Sequence, residues 1–287
     1  MRPTVLPRQS YLSVVAVFTL LLGAIFDLVV GSPGDAAVLL SAFVASGIGV
    51  LILWTGMPLG PRVTRFLPSA WSDRLVAFGL FTFTAAAVFA KITEDVVENE
   101  SPHFDRAASL LVHQFDPATL DTIMRGLTSL GTLSVIVCVA AAVLVWCWRK
   151  RDTAAFSGLV GIIVLDETLK PLLKNIFDRP RPTLFEKIPA LDTYSFPSGH
   201  AMAAVAMYGM IAVVIARLAP SLKPWAYWGA AFLALLIGYS RVYLGAHWLT
   251  DVLAGYAAGT AILGIGLMWL EAYPVRNGAH RVPQSHS

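Results

Sequence analysis

The chain has 287 residues, of which 56% are hydrophobic and only 14% charged, and its mean hydropathy is +0.68. A soluble fold cannot hide that much apolar surface, so the composition excludes an ordinary soluble domain and points to a membrane. The net charge of +3 leaves no large basic face for nucleic acid.

Apolar runs close to the ~20 helical residues that cross a bilayer recur along the chain. They predict helices at 11–30, 36–54, 75–92, 133–148, 156–177, 200–219, 225–241 and 251–272. The expected fold class is therefore all-α: a polytopic membrane protein of about eight spans. The first run follows Arg2 and Arg8 but is longer than a signal-peptide core. It leads into Gly31-Ser32-Pro33-Gly34-Asp35 instead of a small-residue cleavage site, so it is read as an uncleaved helix. Residues 1–70 then form an N-terminal helix pair, 71–272 a six-helix core, and 273–287 a tail.

The longest connection, 93–132, opens with Glu94, Asp95, Glu98 and Glu100. Phe104, Ala107, Ala108, Leu111 and Phe115 follow at helical spacing. Asp116-Pro117 reads as an N-cap with a first-turn proline, opening a second stripe of Leu120, Ile123, Met124 and Leu127. Two short amphipathic helices on the membrane surface are expected, either capping the core or admitting lipid. His103 and His113, in this connection, are expected to be solvated.

Alternating helices assign Arg2, Arg8, Arg62, Arg65, Arg74, Arg149, Lys150, Arg151, Arg217, Lys223, Arg276 and Arg281 to one face. Once Lys174, Arg179, Arg181 and Arg241 are set aside as a site or its flank, the other face keeps Lys91, Arg106, Arg125, Lys170 and Lys187. A bias of twelve to five predicts that the first face, with both termini, is cytoplasmic. Cys138 and Cys147 lie nine residues apart in one apolar run, too far along a helix to bridge. The chain has no zinc spacing, P-loop or dinucleotide fingerprint, and no cofactor or metal is expected.

Three clusters fall on the other face. Lys174-Asn-Ile-Phe-Asp-Arg-Pro-Arg181-Pro182 ends the fifth predicted helix, because two X-Pro steps cannot continue it. Pro197-Ser198-Gly199-His200 opens the sixth, where unpaired N–H groups and the helix dipole favour an anion. Ser240-Arg241 precedes His247 and Asp251, which are four apart and on a helix would share a face. A carboxylate on one ring nitrogen fixes the tautomer and frees the other nitrogen to attack. Each cluster alone also reads as a helix flank, a cap or a surface pair. Together they set three cations, two histidines, one carboxylate and a helix N-terminus on one side of the membrane, a combination suited to holding and transferring phosphate. Asp166, Glu167 and Lys170, inside the fifth helix, read as a buried internal pair supporting Lys174.

The pattern K-x6-RP, PSGH and SR-x5-H-x3-D, matched in order between Lys174 and Asp251, resembles the type 2 phosphatidic acid phosphatase family, kin to the vanadium haloperoxidases. The resemblance covers the six predicted helices from Leu75 to Ala272 and leaves the first two unexplained. It implies His247 as nucleophile, Asp251 as its orienting partner and His200 as general acid and then base. Lys174, Arg181, Ser198, Gly199 and Arg241 would hold the phosphoryl oxygens. The expected activity is metal-independent hydrolysis of a membrane lipid phosphate or diphosphate at the outer face. A prenyl diphosphate carrier and phosphatidylglycerol phosphate are the favoured substrates. Transfer to another lipid's hydroxyl, or non-catalytic lipid-phosphate binding or transport on the same scaffold, are the alternatives.

Overall fold

The computed structural model of the chain describes residues 73–114, 117–185, 187–188 and 193–273. The helices expected at 11–30 and 36–54, and the tail beyond Tyr273, lie outside these residues. Eight helices follow: α1 Asp73–Val97, α2 Pro102–Val112, α3 Ala118–Ser129, α4 Leu133–Lys150, α5 Thr153–Phe177, α6 Gly199–Leu218, α7 Lys223–Tyr243 and α8 Leu249–Ala272. No strand occurs among the described residues. The six long helices fall where the apolar runs place them. Four of them, α1, α4, α6 and α8, are long and apolar enough to cross a membrane. The apolar run of α5 is broken by Asp166, Glu167, Lys170 and Lys174, and that of α7 is diluted by aromatic residues and glycines.

Helix α8 is apolar on every side and buried for most of its length, which places it at the centre of the bundle. Helix α1 packs along it, and α6 lies on another side. Gly255 and Gly259 of α8 face α6, where side chains would strike the Ser198 and Met202 carbonyls. Small residues here let the two backbones approach closely, as helices in lipid require. Helix α6 contains one π turn, Ala204–Tyr208, directly after its first helical turn.

Alternation gathers the C-termini of α5 and α7 and the N-termini of α6 and α8 at one end of the bundle. At the other end, Asp152 caps α5 by accepting from the Ala155 N–H (3.0 Å) and pairs with Arg217 Nε near the end of α6 (2.6 Å).

Helices α2 and α3 form as expected, and α2 turns its polar edge inward. Its buried residues are Ser101, just before the helix, with Asp105 and Ser109, while Leu110 and Leu111 are exposed and Ala107 faces outward. In a membrane the apolar stripe is the lipid-facing one, and the polar edge finds its partners inside. In α3, Met124 is buried, and Leu120 and Leu127 pack with it against Tyr243 and Leu244. Pro117 is itself the N-cap of α3, one place earlier than its expected position at N1.

Candidate active site

Helix α5 ends at Phe177, and Asp178 turns the chain in the left-handed conformation (φ +34°) before the two X-Pro steps. The chain then crosses the end of the bundle. Arg181 Nε donates to the Thr193 carbonyl (2.7 Å), Nη2 to Thr193 Oγ1 (2.8 Å) and Nη1 to the Ala246 carbonyl (2.6 Å). The Tyr194 carbonyl accepts from both Lys174 Nζ and Arg181 Nη2, so the two cations converge on one point. Ser198, the N-cap of α6, donates its backbone N–H to the Asp251 carbonyl (2.9 Å). Its hydroxyl is buried without a hydrogen-bond partner among the described residues.

His247 lies in the α7–α8 loop and not on a helical turn. Trp248 caps α8, and Asp251 is the third helical residue. Gly245 makes this turn at φ +68°, and a Cβ there would strike the Phe185 carbonyl, so the position accepts only glycine. The pair expected from the four-residue spacing still meets, with His247 Nδ1 3.5 Å from Asp251 Oδ2. This is an ion-pair distance, beyond a hydrogen bond, and Nδ1 is buried without a hydrogen-bond partner. Arg181 Nη1 stands 3.4 Å from His247 Nε2. A guanidinium only donates, so this contact calls for a lone pair on Nε2 and puts the ring proton on Nδ1, facing Asp251. Burial pushes the His247 pKa well below the ordinary 6.5, and Arg241, Arg181 and Lys174 push the same way. His200 lies within the electrostatic reach of His247, Arg241 and Lys174. Gly199, at the start of α6, packs on the methylene stem of Lys170. All eight residues singled out by sequence therefore stand at one end of the bundle.

Lys174, Arg181 and Arg241 have no carboxylate within 4.0 Å among the described residues, whereas Arg179, Arg217, Lys91, Lys170 and Lys187 are all paired. Arg241 is buried, donating from Nη1 to Thr128 Oγ1 (2.7 Å) with its Nε unpartnered. Three unpaired cations beside two histidines and an orphan hydroxyl are chemically suited to an anion of high charge. Among the described residues no three His, Cys, Asp or Glu side chains gather as metal ligands.

Sequence reasoning missed the support behind this pocket. Arg179 was only a flank in the sequence. Its Nη1 donates to Asp251 Oδ1 (2.6 Å) and Thr250 Oγ1 (2.8 Å), and its Nη2 to Asp105 Oδ2 (2.7 Å) and Ser101 Oγ (3.0 Å). Asp105 also accepts from the Thr250 N–H (2.9 Å), so α2 is locked to the start of α8. The i, i+4 spacing of Ser101, Asp105 and Ser109 is the one sequence signal that marks this face. His113 is half-buried and engaged at both nitrogens. It stacks on Phe185 with centroids 3.7 Å apart, and its nitrogens meet the Ser109 and Tyr243 carbonyls at 2.7 and 2.8 Å. Lys170 Nζ lies 2.6 Å from Asp166 Oδ2 and 2.6 Å from Glu167 Oε1, an internal cluster one turn before Lys174.

The sequence pattern of the PAP2 superfamily matches residues 155–273. Phosphatidylglycerophosphatase B of Bacillus subtilis (strain 168) is 33% identical over 187 residues, covering 63% of this chain and 87% of that protein. The undecaprenyl-diphosphatase of Sulfolobus acidocaldarius is 31% identical over 170 residues, covering 58% and 78%. Among solved structures, a transmembrane PAP2-type phosphatidylglycerolphosphate phosphatase from Bacillus subtilis superposes with a TM-score of 0.65 at 27% identity. It covers 68% of this chain and 98% of that one.

Proposed function

The chain belongs to the PAP2 superfamily, and from that membership we propose that it is an integral membrane phosphatase hydrolysing a lipid phosphate or lipid diphosphate. The observation that carries the reading is the group of three cations without carboxylate partners, Lys174, Arg181 and Arg241, around a histidine that presents a lone pair. In this reading Nε2 of His247 attacks phosphorus, the bond to the leaving oxygen breaks, and His200 supplies that oxygen's proton. A phosphohistidine results. His200 then takes a proton from water, the water oxygen attacks phosphorus, and the P–N bond breaks. Asp251 keeps the ring proton on Nδ1 and stabilises the charge that develops there. Lys174, Arg181, Arg241, Ser198 and the Gly199 amide hold the phosphoryl oxygens. Positioning and charge supply most of the catalysis in phosphoryl transfer, and the reading needs no metal.

The activities named for the two relatives favour phosphatidylglycerol phosphate or undecaprenyl diphosphate as substrate. Apolar helices around the pocket suit a lipid whose chains stay in the bilayer while its headgroup enters. The twelve-to-five distribution of Lys and Arg supports an extracytoplasmic site on the plasma membrane, with both termini in the cytoplasm.

One experiment tests the activity and the sidedness together. Right-side-out vesicles carrying the protein receive each purified lipid monophosphate and diphosphate, with a chelator present. Inorganic phosphate should appear in the outer medium, and vanadate should block its release. Release into the lumen alone reverses the orientation. Activity abolished by the chelator and restored by magnesium removes the metal-free mechanism.

A further inference from the structure

Gly131 stands at the corner between α3 and α4, where its N–H donates to the Thr128 carbonyl (3.0 Å). Its backbone lies outside the left-handed region, so conformation does not call for glycine here. Space does. A Cβ on residue 131 would lie 2.8 Å from His200 Cδ2, 3.2 Å from His200 Cβ and 2.8 Å from Ile237 Cγ2. Two of these atoms do not yield easily. Ile237 is fully buried, and a β-branched side chain on a helix keeps essentially one rotamer. His200 Cβ is fixed by the first turn of α6. What gives way is the imidazole ring.

The same corner is tied to the site at two further points. The Leu130 carbonyl accepts from Tyr208 Oη (2.6 Å), at the end of the π turn in α6, and Thr128 Oγ1 accepts from Arg241 (2.7 Å). His200, by contrast, makes no side-chain hydrogen bond to any described residue. Its orientation comes from what it packs against.

We infer that Gly131 is a positioning residue for His200: the bare backbone of the α3–α4 corner is the seat that holds the imidazole facing the phosphate pocket. The inference rests on the reading of His200 as the proton donor to the leaving oxygen. A displaced ring leaves nucleophilic attack by His247 intact and weakens only that proton transfer.

The test uses the full chain in detergent and two substrates, a lipid alkyl monophosphate and 4-nitrophenyl phosphate, whose leaving group departs without a proton. Gly131→Ala should cut kcat on the alkyl substrate about 10²-fold, the lower range for a general acid, while losing only a few-fold on the aryl one. KM should stay near its original value on both. His200→Ala is the reference and should discriminate in the same direction and more strongly. Equal losses of Gly131→Ala on both substrates, beside a discriminating His200→Ala, overturn the seat. A His200→Ala that does not discriminate overturns the role on which the seat depends, and the two failures are separate. Should Gly131→Ala not fold, Tyr208→Phe releases the Leu130 carbonyl without adding an atom. It should lose about threefold, again mainly on the alkyl substrate, as one neutral hydrogen bond allows. A uniform loss there overturns the proposal equally.

Discussion

The two histidines of the pocket are held by opposite means. Behind His247 stands a chain of charge: Asp251 at its Nδ1, Arg179 on Asp251, then Asp105 and Thr250 on Arg179, all buried or nearly so. Beside His200 stands the bare backbone of Gly131, with no side-chain hydrogen bond from the imidazole to any described residue. The difference fits the two proposed roles. A nucleophile that takes up a phosphoryl group must keep one tautomer while charge develops on its ring, and fixed charges nearby enforce that. A group that gives a proton to one oxygen and takes it from another can do both at one nitrogen, provided the ring is held in place. Packing fixes a ring without occupying its hydrogen-bonding atoms.

The most severe way to break this comparison is His247→Ala. Phosphoenzyme formation should vanish and turnover fall on the order of 10⁴-fold or more, because no other described residue is placed to attack phosphorus. Rapid-quench detection of acid-labile, base-stable phosphoprotein reads it. Persistence of that species in His247→Ala, and its loss in His200→Ala, inverts the two roles.

Next comes Arg179→Met, which leaves Asp105 and Asp251 buried without their shared cation. Removing one partner of such a network typically costs about 3–5 kcal/mol, so thermal unfolding in detergent should occur at markedly lower temperature. Adding Asp105→Asn should recover part of the loss by removing one stranded charge. A stable single variant would mean that charge does not hold this side of the site.

The smallest effect sharpens the comparison without a mutation. A His pKa depressed in the folded protein means that the neutral, attacking form persists as pH falls. The acid limb of single-turnover phosphoenzyme formation, corrected for the substrate's own ionisation, should therefore lie below the ordinary histidine value of 6.5. A limb at 6.5 would show that the cationic surroundings do not act on His247.

The residues of the proposed phosphate site were legible in sequence because each cluster is local. Lys174 and Arg181 flank a proline stop, Ser198 to His200 open a helix, and His247 and Asp251 are four apart. Their supports were not, because they are assembled across the chain: Asp105 and Thr250 are separated by 145 residues, and Thr128 and Arg241 by 113. Gly131 carries no side chain to attract notice, and its significance exists only once His200 lies against it. The apolar stripe of α2 was legible, whereas the partners of its polar edge were not. Periodicity locates an apolar face, but whether that face meets the core or lipid depends on the solvent.

The π turn at Ala204–Tyr208 bears on how this chain can be compared with others. Such a turn amounts to one residue inserted into an α-helix, and each residue advances the helix by about 100°. The end of α6 that carries His200 and the end that carries Arg217, paired with Asp152, are thus phased by a single-residue insertion. Delete one residue between them and only one end keeps its partners. A relative with a regular α6 must be aligned to this chain with a one-residue gap at that turn. A gap placed anywhere else in the helix would equate residues on different faces.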